Sequence, residues 1–61
     1  MPELLTLQET ADYLGVSIHT IYKWVQARKI PFLRVGRHIR VDPDELSTWL
    51  QSRRVPAGGG A

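Results

Sequence analysis

ADYLGVSIHTIYKWVQ, residues 11 to 26, is the stretch that decides the fold. Its spacing predicts two short helices joined by a tight turn at Gly15. Ala11 is small where two helices would cross. Gly15 can take the positive φ of a sharp turn, and Val16, Ile21 and Trp24 offer apolar contacts between the helices. Ser17 is placed as the N-cap of the second helix, with Ile18, His19 and Thr20 in its first turn. Ile21, Trp24 and Val25 recur at i, i+3 and i+4 and share a buried face, which leaves Tyr22, Lys23 and Gln26 to the sides or outward. Ile18 precedes that stripe by one turn and either completes it or stays exposed at the helix start. The helix is expected to run from Ile18 to about Arg28, and it cannot pass Ile30 because Pro31 biases the residue before it towards extended backbone.

Towards the N-terminus, Thr6-Leu7-Gln8-Glu9 matches a capping box, in which hydroxyl and carboxylate each satisfy an amide at the helix start. Leu7, Ala11 and Leu14 form the apolar stripe of this first helix, while Gln8, Glu9 and Asp12 face away. Leu4 or Leu5 is expected to pack under it.

Towards the C-terminus, FLRVGRHIRV, residues 32 to 41, reads as a β-hairpin around Gly36. A two-residue turn, Gly36-Arg37, would set Val35 against His38 and Leu33 against Arg40, mixing apolar and charged groups on both faces. A three-residue loop, Gly36-Arg37-His38, pairs Val35 with Ile39, Leu33 with Val41 and Arg34 with Arg40, and alternation favours this register. Arg34 would then oppose Arg40, an arrangement that gains from an anion between them. Asp42-Pro43-Asp44-Glu45 follows as another helix start, with Asp42 as N-cap, Pro43 at the first helical position and Glu45 returning to the cap. Leu46, Trp49 and Leu50 supply the buried stripe of the last helix, Arg53 and Arg54 complement its negative pole, and Trp24 and Trp49 are expected to be the two largest core fillers. The fold class is mainly α with a small β-hairpin. Residues 1–54 form one domain and residues 55–61 a flexible Gly-rich tail.

A chain of 61 residues buries only about 60% of its unfolded surface and has little room for an enzyme cleft. With no cysteine, neither a disulfide nor a thiolate metal site can brace it, and a reducing compartment is tolerated. No apolar run approaches the roughly 20 residues of a membrane span, and the first residues lack the features of a signal peptide. The expectation is a cytoplasmic, nucleoid-associated protein without a membrane partner. The net charge of +2 conceals a segregation. Lys23, Arg28, Lys29, Arg34, Arg37 and Arg40 lie between Tyr13 and Val41, and every carboxylate lies outside that window. Such segregation favours a polyanionic partner. There is no paired-carboxylate cleft, nucleophile motif or phosphate-binding glycine loop, so no enzyme is expected. His19 and His38, without a carboxylate or thiolate beside them, make a poor metal set, and no cofactor is expected.

In this order, helix, turn, helix, basic hairpin, helix, residues Leu4 to Leu50 resemble the small excisionase-type, MerR-like winged helix-turn-helix proteins of bacteria and their mobile elements. The matching features are T-x-x-E-x-A-x-x-L-G-V-S at Thr6 to Ser17, T-I-Y at Thr20 to Tyr22, K-I-P at Lys29 to Pro31, R-V-G-R at Arg34 to Arg37 and L-x-x-W-L at Leu46 to Leu50. The resemblance implies a winged helix-turn-helix that binds double-stranded DNA, with the second helix in the major groove and the hairpin, Phe32 to Val41, as a wing on backbone or minor groove. It puts Ser17, Thr20, Tyr22 and Lys23 near DNA and Arg34, Gly36, Arg37 and Arg40 on the wing. Arg28 departs from the pattern, standing where family members often close this helix with glycine.

Positioning and reading are separate tasks. Lys23, Arg28, Arg34 and Arg40 are assigned to phosphates, with Tyr22 able to donate its hydroxyl to one. His19, Lys23 and Gln26 are the candidates for base edges, Arg37 at the hairpin tip for a narrow minor groove, and His38 completes the wing's set. A module of this size buries about 600 to 1,000 Å² on DNA, so further copies on adjacent sites are expected. Two roles compete: an architectural factor that bends DNA for a recombinase, and a small transcription regulator. A third reading, from another class, is a protein-interaction module whose basic surface docks an acidic partner.

Overall fold

A computed structural model describes residues 3–55 and orders them as α1 (Leu7–Leu14), α2 (Ile18–Gln26), β1 (Leu33–Val35), β2 (His38–Arg40) and α3 (Pro43–Gln51). The Gly-rich tail expected from Val55 lies, from Pro56 onward, outside the described residues. The capping box of α1 forms in full: the Glu9 amide donates to Thr6 Oγ1 at 3.0 Å and the Thr6 amide to Glu9 Oε1 at 2.9 Å. Gly15 ends the helix at φ +72°. The Val16 amide reaches the Ala11 carbonyl at 3.0 Å and the Gly15 amide reaches Asp12 at 3.3 Å, the paired bonds of a Schellman motif.

The second helix is capped by Ser17, whose Oγ accepts from the Thr20 amide at 3.3 Å. It stops at Gln26, two residues short of the expected Arg28, because the chain makes the same closing motif again. Arg28 sits at φ +55°. The Lys29 amide bonds the Trp24 carbonyl at 2.8 Å and the Arg28 amide bonds Val25 at 3.1 Å. Arginine thus occupies a left-handed position that glycine fills at the end of α1.

The hairpin takes the register that alternation argued against. Leu33 pairs with Arg40, Arg34 with Ile39 and Val35 with His38 around the two-residue loop Gly36-Arg37. Turn chemistry explains the outcome. Gly36 has φ +62° while Arg37 has a negative φ, so the loop is glycine-first, the pattern that matches the twist of paired strands. Strands of three residues offer too little alternation to override it. Directly opposed residues share a face, so Arg34 lies on the side of Ile39 and Arg40 on the side of Leu33. The expected Arg34–Arg40 pair does not form, and Val35 is left 47% exposed.

Beyond β2 the chain stays paired. Val41 forms an antiparallel bridge to Leu5, with reciprocal amide–carbonyl bonds of 2.8 and 2.9 Å. Leu5 packs on the core while Leu4 is exposed. Asp42 caps α3 by accepting from the Asp44 amide at 2.8 Å. The cap is Asp42's alone; Glu45 does not bond back to it. Arg53 and Arg54 fall past the last helical turn. The Arg53 guanidinium lies 4.6 Å from the Trp49 ring centroid, and Arg54 Nη1 donates to Gln51 Oε1.

Ala11, Ile21, Val25, Ile30, Val41 and Leu46 form the buried centre. Thr10 joins them, fully buried, its hydroxyl donating to the Thr6 carbonyl at 2.8 Å. Trp24 and Trp49 are half-buried at the side of this core instead of filling it. Their centroids are 5.7 Å apart with planes tilted by 56°, and Trp49 Nε1 donates to the Lys29 carbonyl at 2.7 Å. That bond ties α3 to the turn that closes α2. Among the described residues no helix is long and apolar enough to cross a membrane.

Candidate nucleic-acid interface

The rigid exit from α1 fixes how α2 is presented. With Ile21 and Val25 buried, His19, Lys23 and Gln26 fall at i, i+4 and i+7 and form one exposed stripe on the outer surface. Ser17 and Thr20 are occupied locally: their hydroxyls lie 3.1 Å apart and Ser17 also caps the helix. Tyr22 is half exposed on the side that faces the wing. Ile18 is partly buried against the core, as the residue that completes the stripe, and it also borders the space in front of it.

That space is a cleft of about 370 Å³. It is lined by Ile18 and Tyr22 of α2, by Arg37, His38, Ile39 and Arg40 of the hairpin, and by residues 6–8 at the start of α1. Its lining contains no carboxylate. Nearby acids are engaged elsewhere: Glu9 holds the Thr6 amide, Asp12 accepts from Gln8 Nε2 at 3.1 Å, and Asp42 caps α3. Arg40 is half-buried with Nη1 on the Ile39 carbonyl at 2.9 Å, which steadies its stem along the strand. Arg37 and Gly36 are exposed at the tip.

Tyr22, Arg37, His38 and Arg40 therefore come together around one cleft. Arg34 is exposed opposite Ile39 and is not among the residues that line the cleft, and Arg28 lies past the far end of α2. Gln8 is a bordering residue that sequence reasoning passed over. The capping box announced its helix position, but which surface the start of α1 would meet depends on how the three elements cross. No cluster of three or more metal-ligating side chains exists among the described residues.

Two helices joined by a tight turn, followed by a two-stranded hairpin beside the second helix and a closing helix, define a winged helix-turn-helix. Residues 4–54 match the model of a family described as "Helix-turn-helix domain". The chain belongs to the excisionase-type helix-turn-helix family of DNA-binding proteins. It is 35% identical over 52 residues to the protein named "Excisionase" of Mycobacterium phage D29, an alignment that covers 84% of this chain and 93% of that one. It is 36% identical over 56 residues to "Putative DNA-binding protein Rv0500A" of Mycobacterium tuberculosis (strain ATCC 25618 / H37Rv), covering 92% and 72%. With "Putative antitoxin VapB50" of the same strain the identity is 42% over 50 residues, which span 82% of this chain and 38% of that protein. No solved structure matches the chain with significance.

Proposed function

We propose that the protein binds double-stranded DNA with sequence preference, placing α2 in the major groove and the wing on the flanking backbone or minor groove. The observation that carries this reading is the adjacency of two surfaces: the His19, Lys23 and Gln26 stripe on α2 and the cationic, carboxylate-free cleft beside it. The stripe meets base edges. Tyr22, Arg40 and His38 hold one stretch of backbone across the cleft, and Arg37 enters the minor groove from the thin tip at Gly36. Ser17 and Thr20 fix the approach of the helix start. Arg34, exposed on the wing outside the cleft lining, and Arg28, past the end of α2, each meet separate phosphates. This replaces the clamp of two opposed arginines with contacts spread along the backbone.

Within this activity the favoured role is that of an architectural factor that binds as several copies and bends DNA for a recombinase. The support is the phage excisionase, whose length this chain matches almost throughout. Simple operator binding by a small regulator is the competing role. A salt titration tests the binding mode: four or five neutralised phosphates per copy give a slope of log K against log salt of about −4, whereas an affinity indifferent to salt contradicts it. A circular-permutation gel shift separates the roles. Cooperative, bent complexes support the architectural factor, and straight, independent ones support the regulator.

A further inference from the structure

Arg28 is held in a conformation that its own side chain does not explain. Its φ of +55° is one that glycine adopts freely and a residue with a Cβ only at a cost. Arg40 donates to the Ile39 carbonyl, Arg54 donates to Gln51, and Arg53 stacks on Trp49. Among the described residues no such partner holds the Arg28 guanidinium, and the residue is exposed. Backbone strain kept without a side-chain contact inside the chain points to a contact outside it. The residue that follows is pinned from both sides. The Lys29 amide bonds the Trp24 carbonyl of α2 at 2.8 Å, and the Lys29 carbonyl accepts from Trp49 Nε1 of α3 at 2.7 Å. The first bond belongs to the closing motif of the helix itself. The second comes from 20 residues further along the chain. The ring that makes it is seated against Trp24, centroid to centroid 5.7 Å, and under the Arg53 guanidinium at 4.6 Å. Ile30, next in the chain, is buried, so the turn is locked between an indole N–H and the core.

We infer that Trp49 is a positioning residue for DNA binding: its indole N–H, acting through the Lys29 carbonyl, keeps Arg28 left-handed and so fixes where the guanidinium meets a phosphate beyond the end of α2. Backbone dihedrals set the direction in which Cβ leaves the chain, and a side chain aimed in advance loses less freedom on binding. Without the indole bond the Lys29 peptide is free to turn. Arg28 can then leave the strained region and carry its side chain away from the phosphate. This rests on the reading that Arg28 meets the DNA backbone. It adds to the determinants of affinity a residue of α3 that borders no part of the cleft beside α2.

A double-mutant cycle on the full chain is the test, read by fluorescence anisotropy with a labelled duplex selected from a random pool. Arg28→Gln should weaken binding about fivefold and make the slope of log K against log salt shallower by about 0.9. Trp49→Phe keeps an aromatic ring and loses the N–H. It should weaken binding about threefold and share part of that change in slope. In the Arg28→Gln background the same substitution should weaken binding by less than about 1.5-fold and leave the slope unaltered. Circular dichroism establishes that each variant is folded. If Trp49→Phe is not, a synthetic chain with benzothienylalanine at position 49, in which sulfur replaces the N–H and the ring area is retained, takes its place with the same expectations. Equal weakening in both backgrounds would make the indole a support of the fold alone, and no weakening in the native background would show that its bond aims nothing. Either result overturns the inference, as does an Arg28→Gln variant that binds as well as the native chain. In each of these cases the DNA account stands, whereas a native chain that binds no duplex removes both.

Discussion

Arg28 occupies a left-handed backbone position, φ +55°, that costs a side-chain-bearing residue about 1–2 kcal/mol. The Schellman bonds from Arg28 and Lys29 hold it there. Replacing it by glycine relieves the strain, and part of the gain is returned through the greater freedom of glycine in the unfolded chain. Arg28→Gly should raise stability by roughly 0.5–1.5 kcal/mol, seen as a rise in Tm of about 3–8 °C by circular dichroism. The same variant should lose several-fold in DNA affinity if the guanidinium meets a phosphate. A variant that is more stable and binds as well would remove Arg28 from the interface. Sequence reasoning found this position only as a departure from a family's glycine. No local signal marks an arginine for positive φ, because the bonds that impose it come from the preceding turn of helix. Thr10 was missed for a related reason: a hydroxyl that folds back on the Thr6 carbonyl lets a polar residue pass into the core.

The elements were largely legible. Capping residues at Thr6, Ser17 and Asp42 and the breakers Gly15 and Pro31 marked the helices, because those signals act within a few residues. The hairpin shows where such reading stops. Alternation and turn geometry pointed to different registers, and two three-residue strands gave alternation too few pairs to prevail. With Gly36 at φ +62°, an added Cβ would meet no atom within 4 Å, so Gly36→Ala is a test of backbone alone. It should cost about 1 kcal/mol in denaturant unfolding and weaken DNA binding by loosening the wing. Nuclear Overhauser contacts check the register directly: Val35 should lie opposite His38 and Arg34 opposite Ile39. A Val35–Ile39 pair would restore the longer loop. The clamp of opposed arginines depended on the register and fell with it, while the basic character of the wing did not.

At the scale of the molecule, helix, turn and helix do not suffice. The core joins Ala11, Ile21 and Val25 to Ile30, Val41 and Leu46, so half of what buries the helix-turn-helix comes from the segments that follow it. Helices of eight and nine residues are too short to persist alone, isolated helices below about 12 residues being marginal in water. A peptide of residues 11–26 should show no helical circular dichroism and no DNA binding, and a folded, binding peptide would show that the wing and α3 are dispensable. The candidate site was legible as a set of residue types and not as a place. Tyr22 and the wing residues Arg37, His38 and Arg40 come from separate elements, and only the crossing of α1, α2 and the wing brings them to one cleft. The central claim is that this pair of surfaces reads sequence. Duplexes selected by the protein from a random pool, compared with shuffled versions by fluorescence anisotropy at one fixed salt concentration, measure that claim most directly. The account predicts that the selected duplex binds at least about 10³-fold more tightly, and that alanine at His19, Lys23 and Gln26 together removes most of the difference. Equal affinity for selected and shuffled duplexes would contradict it.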